Sequence, residues 1–390
     1  MEAFPAMTMK AIRFSVLLSL FASLGCDNGG LPGIAGGINQ RPDMGVSDMA
    51  ASTTAVDSST TSADPFERGK LVYAAYCGFC HGDDGEGYSA DNANALSNQY
   101  FLASADDAFL TAAIVHGRPG TPMSAWGREE SGPLGAADVQ EVVRLIRSWQ
   151  TKANVSLGAR HTGNAADAEQ NYATFCASCH GASGDGVTAL SLNNPWFLNT
   201  ASDGLIRYAI EEGRPGTSMG PYKNSFSAQE TEDLVALIRS WQEPVPMTGE
   251  SIYVPDLTDL VINPNGQEPE FTLREDKFVP VDDVHAAIEA GQSVILLDAR
   301  AHGDYLYGHI SGAVSLPFYA LPDYIEELPR DTWIITYCGC PHAISGRAWQ
   351  ALRDEGFEKT AVLDEGYYVW RDRGYPISGV DMPMPEPATP

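Results

Sequence analysis

A six-residue segment, Cys77-Gly-Phe-Cys80-His81-Gly82, recurs 99 residues later as Cys176-Ala-Ser-Cys179-His180-Gly181. The recurrence runs well beyond the cysteines, and that limits the possible folds more than any other property of the chain. Leu96, Phe101-Leu102 and Asp107 match Leu192, Phe197-Leu198 and Asp203 at an offset of 96, and Gly117-Arg-Pro-Gly-Thr121 matches Gly213-Arg-Pro-Gly-Thr217 at the same offset. Leu145-Ile-Arg-Ser-Trp-Gln150 returns as Leu237 to Gln242. Two duplicated domains follow, 65–152 and 165–243, differing by small deletions in loops.

In each copy a short helical stretch, Glu67 to Tyr76 or Ala166 to Phe175, leads into the cysteine motif, and a second helix closes the unit. In the first closing helix Val139, Val142, Val143, Ile146 and Trp149 fall on one face. In the second, Ser227 and Glu230 have the spacing of a capping box ahead of Leu234, Ile238 and Trp241.

The motif C-x-x-C-H places two thiols to add across the vinyl groups of one haem, with an imidazole next in sequence to bind the iron. Two copies imply two covalently bound haem c groups, held through Cys77 and Cys80 and through Cys176 and Cys179. His81 and His180 are then the proximal iron ligands. Between His81 and the end of the first unit Met123 is the only methionine, and Met219 is likewise alone in the second. Both follow Gly-Arg-Pro-Gly-Thr in register, so both are expected as distal ligands. A thioether opposite imidazole raises the potential and fills the sixth position, which suits electron transfer. His116 competes with Met123, but its counterpart is Glu212; a surface role is expected for it.

On these residues each repeat resembles a class I cytochrome c, and the Gly-Arg-Pro-Gly-Thr-x-Met approach is similar to haem subunits of bacterial terminal oxidases. The resemblance implies an all-α haem fold and one-electron transfer.

The amino end carries an export signal: Lys10 and Arg13 precede the apolar run Phe14 to Leu24, and Gly25-Cys26 follow. Ser23-Leu24-Gly25-Cys26 resembles a lipoprotein cleavage box, which would make 1–25 a removed signal, Cys26 a lipidated residue and 26–64 a flexible tether. An exported, periplasmic protein held to a membrane by lipid is the expectation. Haem attachment to C-x-x-C-H outside the cytoplasm agrees with it. The chain holds 51 acidic and 24 basic residues, a formal charge of −27. That surface argues against nucleic acid and suits a basic redox partner or a membrane oxidase complex.

Residues 244–275, with five prolines, form a linker. Beyond it Ser293 to Leu297, Thr332 to Tyr337 and Thr360 to Leu363 read as strands; Val281 to Ala290, Tyr319 to Glu327 and Ala343 to Glu355 read as helices. This alternation implies a parallel sheet covered by helices over 276–380, before a Pro-rich tail at 381–390. The fold class is therefore multidomain: two all-α units followed by an α/β domain.

Within the α/β domain, Leu297-Asp298-Ala-Arg300 with Gly308-His309-Ile-Ser-Gly312, and Leu363-Asp-Glu-Gly366 with Trp370 and Gly374-Tyr-Pro376, resemble the opening and closing motifs of the rhodanese family of sulfurtransferases. Cys338, at the end of a strand, stands where that family has its nucleophile. The resemblance implies that Cys338 takes sulfur from a sulfane donor such as thiosulfate or polysulfide, carries it as a persulfide and passes it on. The loop departs from the common form: Ala343 stands where an arginine is frequent, with His342 and Arg347 nearby. Cys340 adds a thiol able to resolve a Cys338 persulfide. The alternatives are a Cys338–Cys340 disulfide, or an inactive rhodanese fold that docks or senses redox state beside an electron relay.

Overall fold

The structure is a computed structural model that describes residues 64–89, 93–158, 162–245, 253–339 and 342–379. Cys26, the signal and the tail lie outside these residues, as does Cys340. None of the described helices is long and apolar enough to cross a membrane.

The first repeat contains α1 (Glu67–Tyr76), α2 (Gly78–His81), α3 (Gln99–Ser104), α4 (Asp107–His116) and α5 (Ala136–Ser148). The second repeats the order with α6 (Ala165–Phe175), α7 (Ala177–His180), α8 (Pro195–Thr200), α9 (Asp203–Glu212) and α10 (Ala228–Ser240). As the helical spacing predicts, Val139, Val142, Val143 and Ile146 are buried on one face of α5. Ser227 and Glu230 form the expected capping box, with Ser227 N donating to Glu230 Oε2 at 2.8 Å.

The opening helix crosses the closing one at very short range. A Cβ on Gly69 would lie 2.5 Å from the Glu141 carbonyl oxygen, and the matching position in the second repeat is the fully buried Ala168. Each crossing is sealed by an edge-on aromatic pair: Tyr73 on Trp149 at 5.2 Å and Tyr172 on Trp241 at 5.1 Å between ring centroids. Arg147 ties α5 to the carbonyls of Leu102 and Ala105 and to Asp107; Arg239 makes the same set to Leu198, Ala201 and Asp203. These fixed polar contacts explain why Leu-Ile-Arg-Ser-Trp-Gln is retained in both copies.

The α/β domain contains β1 (Phe278–Val279), α11 (Val281–Glu289), β2 (Val294–Asp298), α12 (His302–Tyr307), β3 (His309–Ile310), β4 (Val314–Ser315), α13 (Leu321–Tyr324), β5 (Trp333–Tyr337), α14 (Ala343–Asp354), β6 (Thr360–Leu363), α15 (Gly366–Asp372) and β7 (Ile377–Ser378). A parallel five-stranded sheet has the order β1-β6-β5-β2-β4, and β3 pairs antiparallel with β7. Val294 to Leu297 is buried on both faces, which is why it reads as an unbroken apolar run. The described part of the linker lies against this domain: Ile262 forms an antiparallel bridge to Val294.

One expected helix, Tyr319 to Glu327, is instead α13 followed by a 3₁₀ turn at Ile325–Glu327. Pro322 lies in the first turn of α13, and Pro329 forces Leu328 into extended geometry, so neither side can lengthen. Leu321, Ile325 and Leu328 are buried regardless, so the apolar spacing that suggested one helix is satisfied by two pieces.

Candidate functional site

Both cysteine motifs are built alike. α1 ends at Tyr76, Cys77 caps it, and the single turn α2 carries Cys80 and His81; Gly82, at φ 79°, stops that turn. Tyr73 Oη donates to the Gly82 carbonyl at 2.8 Å, and Tyr172 does the same to Gly181.

His81 Nδ1 lies 2.8 Å from the Asn94 carbonyl, and His180 Nδ1 lies 2.8 Å from that of Leu190. A carbonyl can only accept, so Nδ1 carries the hydrogen and Nε2 presents a lone pair. Burial lowers the pKa of both rings and keeps them neutral, as a metal ligand requires. Burial also pushes the Cys77 thiol up to about 12 and the Cys176 thiol up to about 11. The donor set, two thiols and one oriented neutral imidazole per motif, fits a covalent haem.

The loops carrying the methionines explain their shared sequence. In Arg118-Pro-Gly-Thr121, Thr121 N donates to the Arg118 carbonyl at 2.9 Å and Gly120 has φ 83°. This is a type II turn, with proline at its second residue and glycine where φ must be positive. Thr121 Oγ1 donates to the Arg118 carbonyl at 2.7 Å and accepts from Met123 N at 3.3 Å, and Arg118 N donates to the Met123 carbonyl at 2.8 Å. Arg214, Gly216, Thr217 and Met219 repeat every contact. Met123 and Met219 are both half-buried, each on a loop pinned at both ends.

The repeats meet across these loops. Asn98 caps α3 with Oδ1 and donates from Nδ2 to the Pro215 carbonyl at 2.9 Å; Asn194 caps α8 and donates to the Pro119 carbonyl at 2.9 Å. Contrary to the surface role expected for it, His116 stacks on Trp196 of the other repeat at 3.9 Å and bonds the buried Glu130 at 2.8 Å. The Trp196 partner across the domain boundary is what a single-repeat reading could not supply.

In the α/β domain Cys338 follows β5 at the carboxyl end of a central strand and is buried. Its Sγ lies 3.1 Å from Ser345 Oγ in the first turn of α14, and its carbonyl accepts from Tyr367 N at 2.9 Å. Arg300 is buried against Asp298, with Nη2 at 2.5 Å from Oδ2, and also donates to the Gly308 carbonyl at 2.6 Å. Ser345 was not singled out by sequence; a hydroxyl seven residues after the cysteine, on the face of α14 turned to β5, is the signal that could have found it.

His342 and Arg347 both reach groups outside their own loop. His342 turns Nε2 to the Asp364 carbonyl at the end of β6, with the Asp364 carboxylate at 3.4 Å. Arg347 spreads its guanidinium over Phe79 at 4.7 Å and donates to the Ala75 carbonyl at 3.4 Å, both in the first repeat.

That contact belongs to a wider junction. Phe318 packs against Tyr76, Phe79 and Trp126, and Ser124 hydrogen-bonds the buried Asp304. A gap with room for no more than about one water is left between the two domains, lined by Cys80, Pro122, Ser124, Arg300, Cys338 and Gly339. The cysteine of one chemistry and the cysteine of the other thus face one space. In the second repeat the equivalent side is open: Cys179 and Phe175 are exposed.

A family model for the rhodanese-like domain matches residues 280–373, and one for subunit III of cbb3-type cytochrome c oxidase matches residues 64–146 and 163–238. The chain is 40% identical over 90 residues to an HTH-type transcriptional regulator of Mycobacterium tuberculosis, covering 23% of this chain and 39% of that protein. It is 34% identical over 95 residues to the thiosulfate sulfurtransferase GlpE of Stutzerimonas stutzeri, covering 24% of this chain and 84% of that protein. Over 166 residues it is 27% identical to the cbb3-type oxidase subunit CcoP of an Azospirillum species, covering 38% of this chain and 53% of that subunit. The chain thus spans well under two thirds of the regulator and of the oxidase subunit.

Proposed function

We propose, from the premise that this chain belongs to the rhodanese-like family through residues 280–373 and carries cbb3-type cytochrome c domains at 64–146 and 163–238, that it is a dihaem electron carrier fed by sulfur chemistry at Cys338. The observation that carries this reading is the junction that sets Cys338 and Cys80 around one small gap. The Cys338 thiolate attacks the outer sulfur of thiosulfate or a polysulfide, breaks the donor's S–S bond, releases sulfite or a polysulfide one sulfur shorter, and keeps that sulfur as a persulfide, with Ser345 Oγ beside the reacting Sγ. Oxidation to sulfite then breaks the persulfide S–S bond, takes its oxygens from three waters, releases six protons and four electrons, and restores the Cys338 thiolate. Haem at each motif supplies one-electron storage when bound. His81 and His180 present neutral Nε2, and the Thr121 and Thr217 turns hold the methionine loops in place.

Electrons leave by the exposed Cys179 side toward a partner, for which the charge of −27 favours a basic carrier. Similarity to CcoP makes an oxidase complex the other acceptor. In this reading the protein is exported to the periplasm and anchored through lipid on Cys26.

The test mixes oxidised holoprotein with polysulfide or thiosulfate and follows haem reduction. Reduction should be fast in the native protein and lost in Cys338→Ser; equal rates in the two would sink the coupled reading. A second reading has its own support. Arg347 is committed to the junction and Ala343 replaces the frequent arginine, which suits an inactive domain that only docks. It predicts no transfer of sulfur from thiosulfate to cyanide.

A further inference from the structure

The contact between the first repeat and the α/β domain lies directly over the thiol that the sulfur chemistry needs. Cys338 is only 4% exposed, and the gap beside it has room for about one water. Its walls come from both domains: Arg300, Gly339, Ala343 and Ile344 on one side, and Cys80, Pro122 and Ser124 of the first repeat on the other. Pro122 is pressed against the residue next to the cysteine, since a Cβ on Gly339 would lie 3.5 Å from its Cα. In the holoprotein Cys80 is bonded to haem, which adds bulk to the cytochrome side.

Two sets of contacts hold this closure. Phe318 packs on Tyr76, Phe79 and Trp126 with ring centroids 6.2, 6.3 and 6.4 Å apart, and Arg347 stands over Phe79 at 4.7 Å. Ser124 bonds Asp304, and at the preceding residue α12 comes very near the first repeat: a Cβ on Gly303 would lie 2.9 Å from the Glu130 carbonyl oxygen and 3.6 Å from Ala125 Cβ. Thiosulfate and polysulfides are several times larger than water, so neither reaches Sγ through a gap of this size. A junction of ring contacts and single hydrogen bonds can part without unfolding either domain, as is usual for contacts between domains of one chain.

We propose that the first cytochrome repeat is a lid on the sulfur site: with the junction closed no sulfane donor reaches Cys338, and loading requires the repeat and the α/β domain to part. The closed state then encloses the loaded sulfur beside Cys80, admits water, and excludes a second donor or a competing thiol. Opening favours loading and closing favours electron removal, so a weaker junction speeds the first and slows the second. The purpose of the lid rests on the sulfur chemistry proposed above; the closure itself does not, and it is tested without a sulfur donor.

The test is the rate at which iodoacetamide alkylates Cys338, read at its own peptide by mass spectrometry. The holoprotein carries Cys26→Ser and Cys340→Ser, so that with the four motif cysteines holding haem Cys338 is the one free thiol of the seven. Arg347→Ala should raise the rate by about 2- to 30-fold, the factor by which losing the stack on Phe79 and the bond to Ala75 enlarges the open fraction. Ala125→Cys combined with Gly303→Cys places two Cβ atoms at a separation that suits a disulfide, after a small shift of the Glu130 carbonyl. Oxidising that pair should all but stop alkylation, and reducing it should restore the rate. Equal rates in the native junction, in Arg347→Ala and in the oxidised pair would mean that Cys338 is reached from within its own domain, which overturns the lid. Should Arg347→Ala fail to fold, the cross-linked pair decides alone: alkylation unchanged by its oxidation overturns the lid. Neither result touches the sulfur chemistry, which stands or falls on haem reduction by polysulfide with the Cys338→Ser control.

Discussion

Asp304 is the side chain through which the α/β domain grips the loop following Met123. It lies on α12, buried, accepting from Ser124, while its Oδ2 meets no donor among the described residues. Burial pushes its pKa up from 3.8 to about 6, even with Arg300 and Ser124 opposing the shift. An acid whose folded pKa is raised holds its proton more tightly when folded. The stability that this group contributes is therefore greatest below pH 3.8, declines as pH rises from there to about 6, and is level above that. About two units at roughly 1.36 kcal/mol each make the ionised carboxylate a liability of at most about 3 kcal/mol near neutral pH. Asp304→Asn removes the charge and keeps an oxygen for Ser124, so it should stabilise the holoprotein at pH 7 by about 1–3 kcal/mol, roughly 2–4 °C in Tm for each kcal/mol. Thermal unfolding of both proteins at a series of pH values measures this. The gain should be near zero at about pH 4 and reach its plateau above about pH 6. A gain independent of pH, or a loss at pH 7, would refute the reasoning, because it would mean that packing and not ionisation governs the site.

Gly69→Val forces a side chain to within 2.5 Å of the Glu141 carbonyl; it should destabilise the first repeat by about 2–4 kcal/mol, read as a lowered urea midpoint of its haem absorbance. Ala168→Val, whose site already accepts a methyl group, should cost less. Arg347→Ala removes the stack on Phe79 and the bond to Ala75. It should weaken the junction by about 0.5–2 kcal/mol, slow haem reduction by polysulfide and leave both potentials unchanged; a shifted potential would show that Arg347 acts on the haem and not on docking.

What was legible in the sequence was whatever repeated or followed local periodicity. The duplicated unit located Met123 and Met219 by register, and the structure adds why: the loop is a type II turn whose Pro119, Gly120 and Thr121 each have a backbone reason to be there. The strands of the α/β domain were legible because burial on two faces leaves only apolar residues. His116, His342 and Arg347 were not. Register pairs His116 with Glu212, and nearness along the chain ties His342 and Arg347 to Cys338, whereas Trp196, Asp364 and Phe79, which hold them, are distant in sequence. Ser345 was missed for the opposite reason, since one turn of α14 brings it back to Cys338 and nothing in composition marks it.

Comparison of the two repeats shows where they have diverged. Their interiors are nearly the same: Tyr73 and Tyr172, Trp149 and Trp241, Arg147 and Arg239 make matching contacts. Differences gather on the side facing the α/β domain. Phe79, which meets Phe318 and Arg347, corresponds to Ser178; Pro122, packed on Gly339, to Ser218; Ser124, bonded to Asp304, to Gly220; and Trp126, against Phe318, to Tyr222. Tyr222 stacks within its own repeat on Phe226 instead. Only the first repeat therefore has the groups that seat the α/β domain, and only its cysteine motif can share a gap with Cys338. Cys179 is exposed in the second repeat, so the divergence gives the pair an inner side and an outer side, and the electron path proposed above would run from the first to the second.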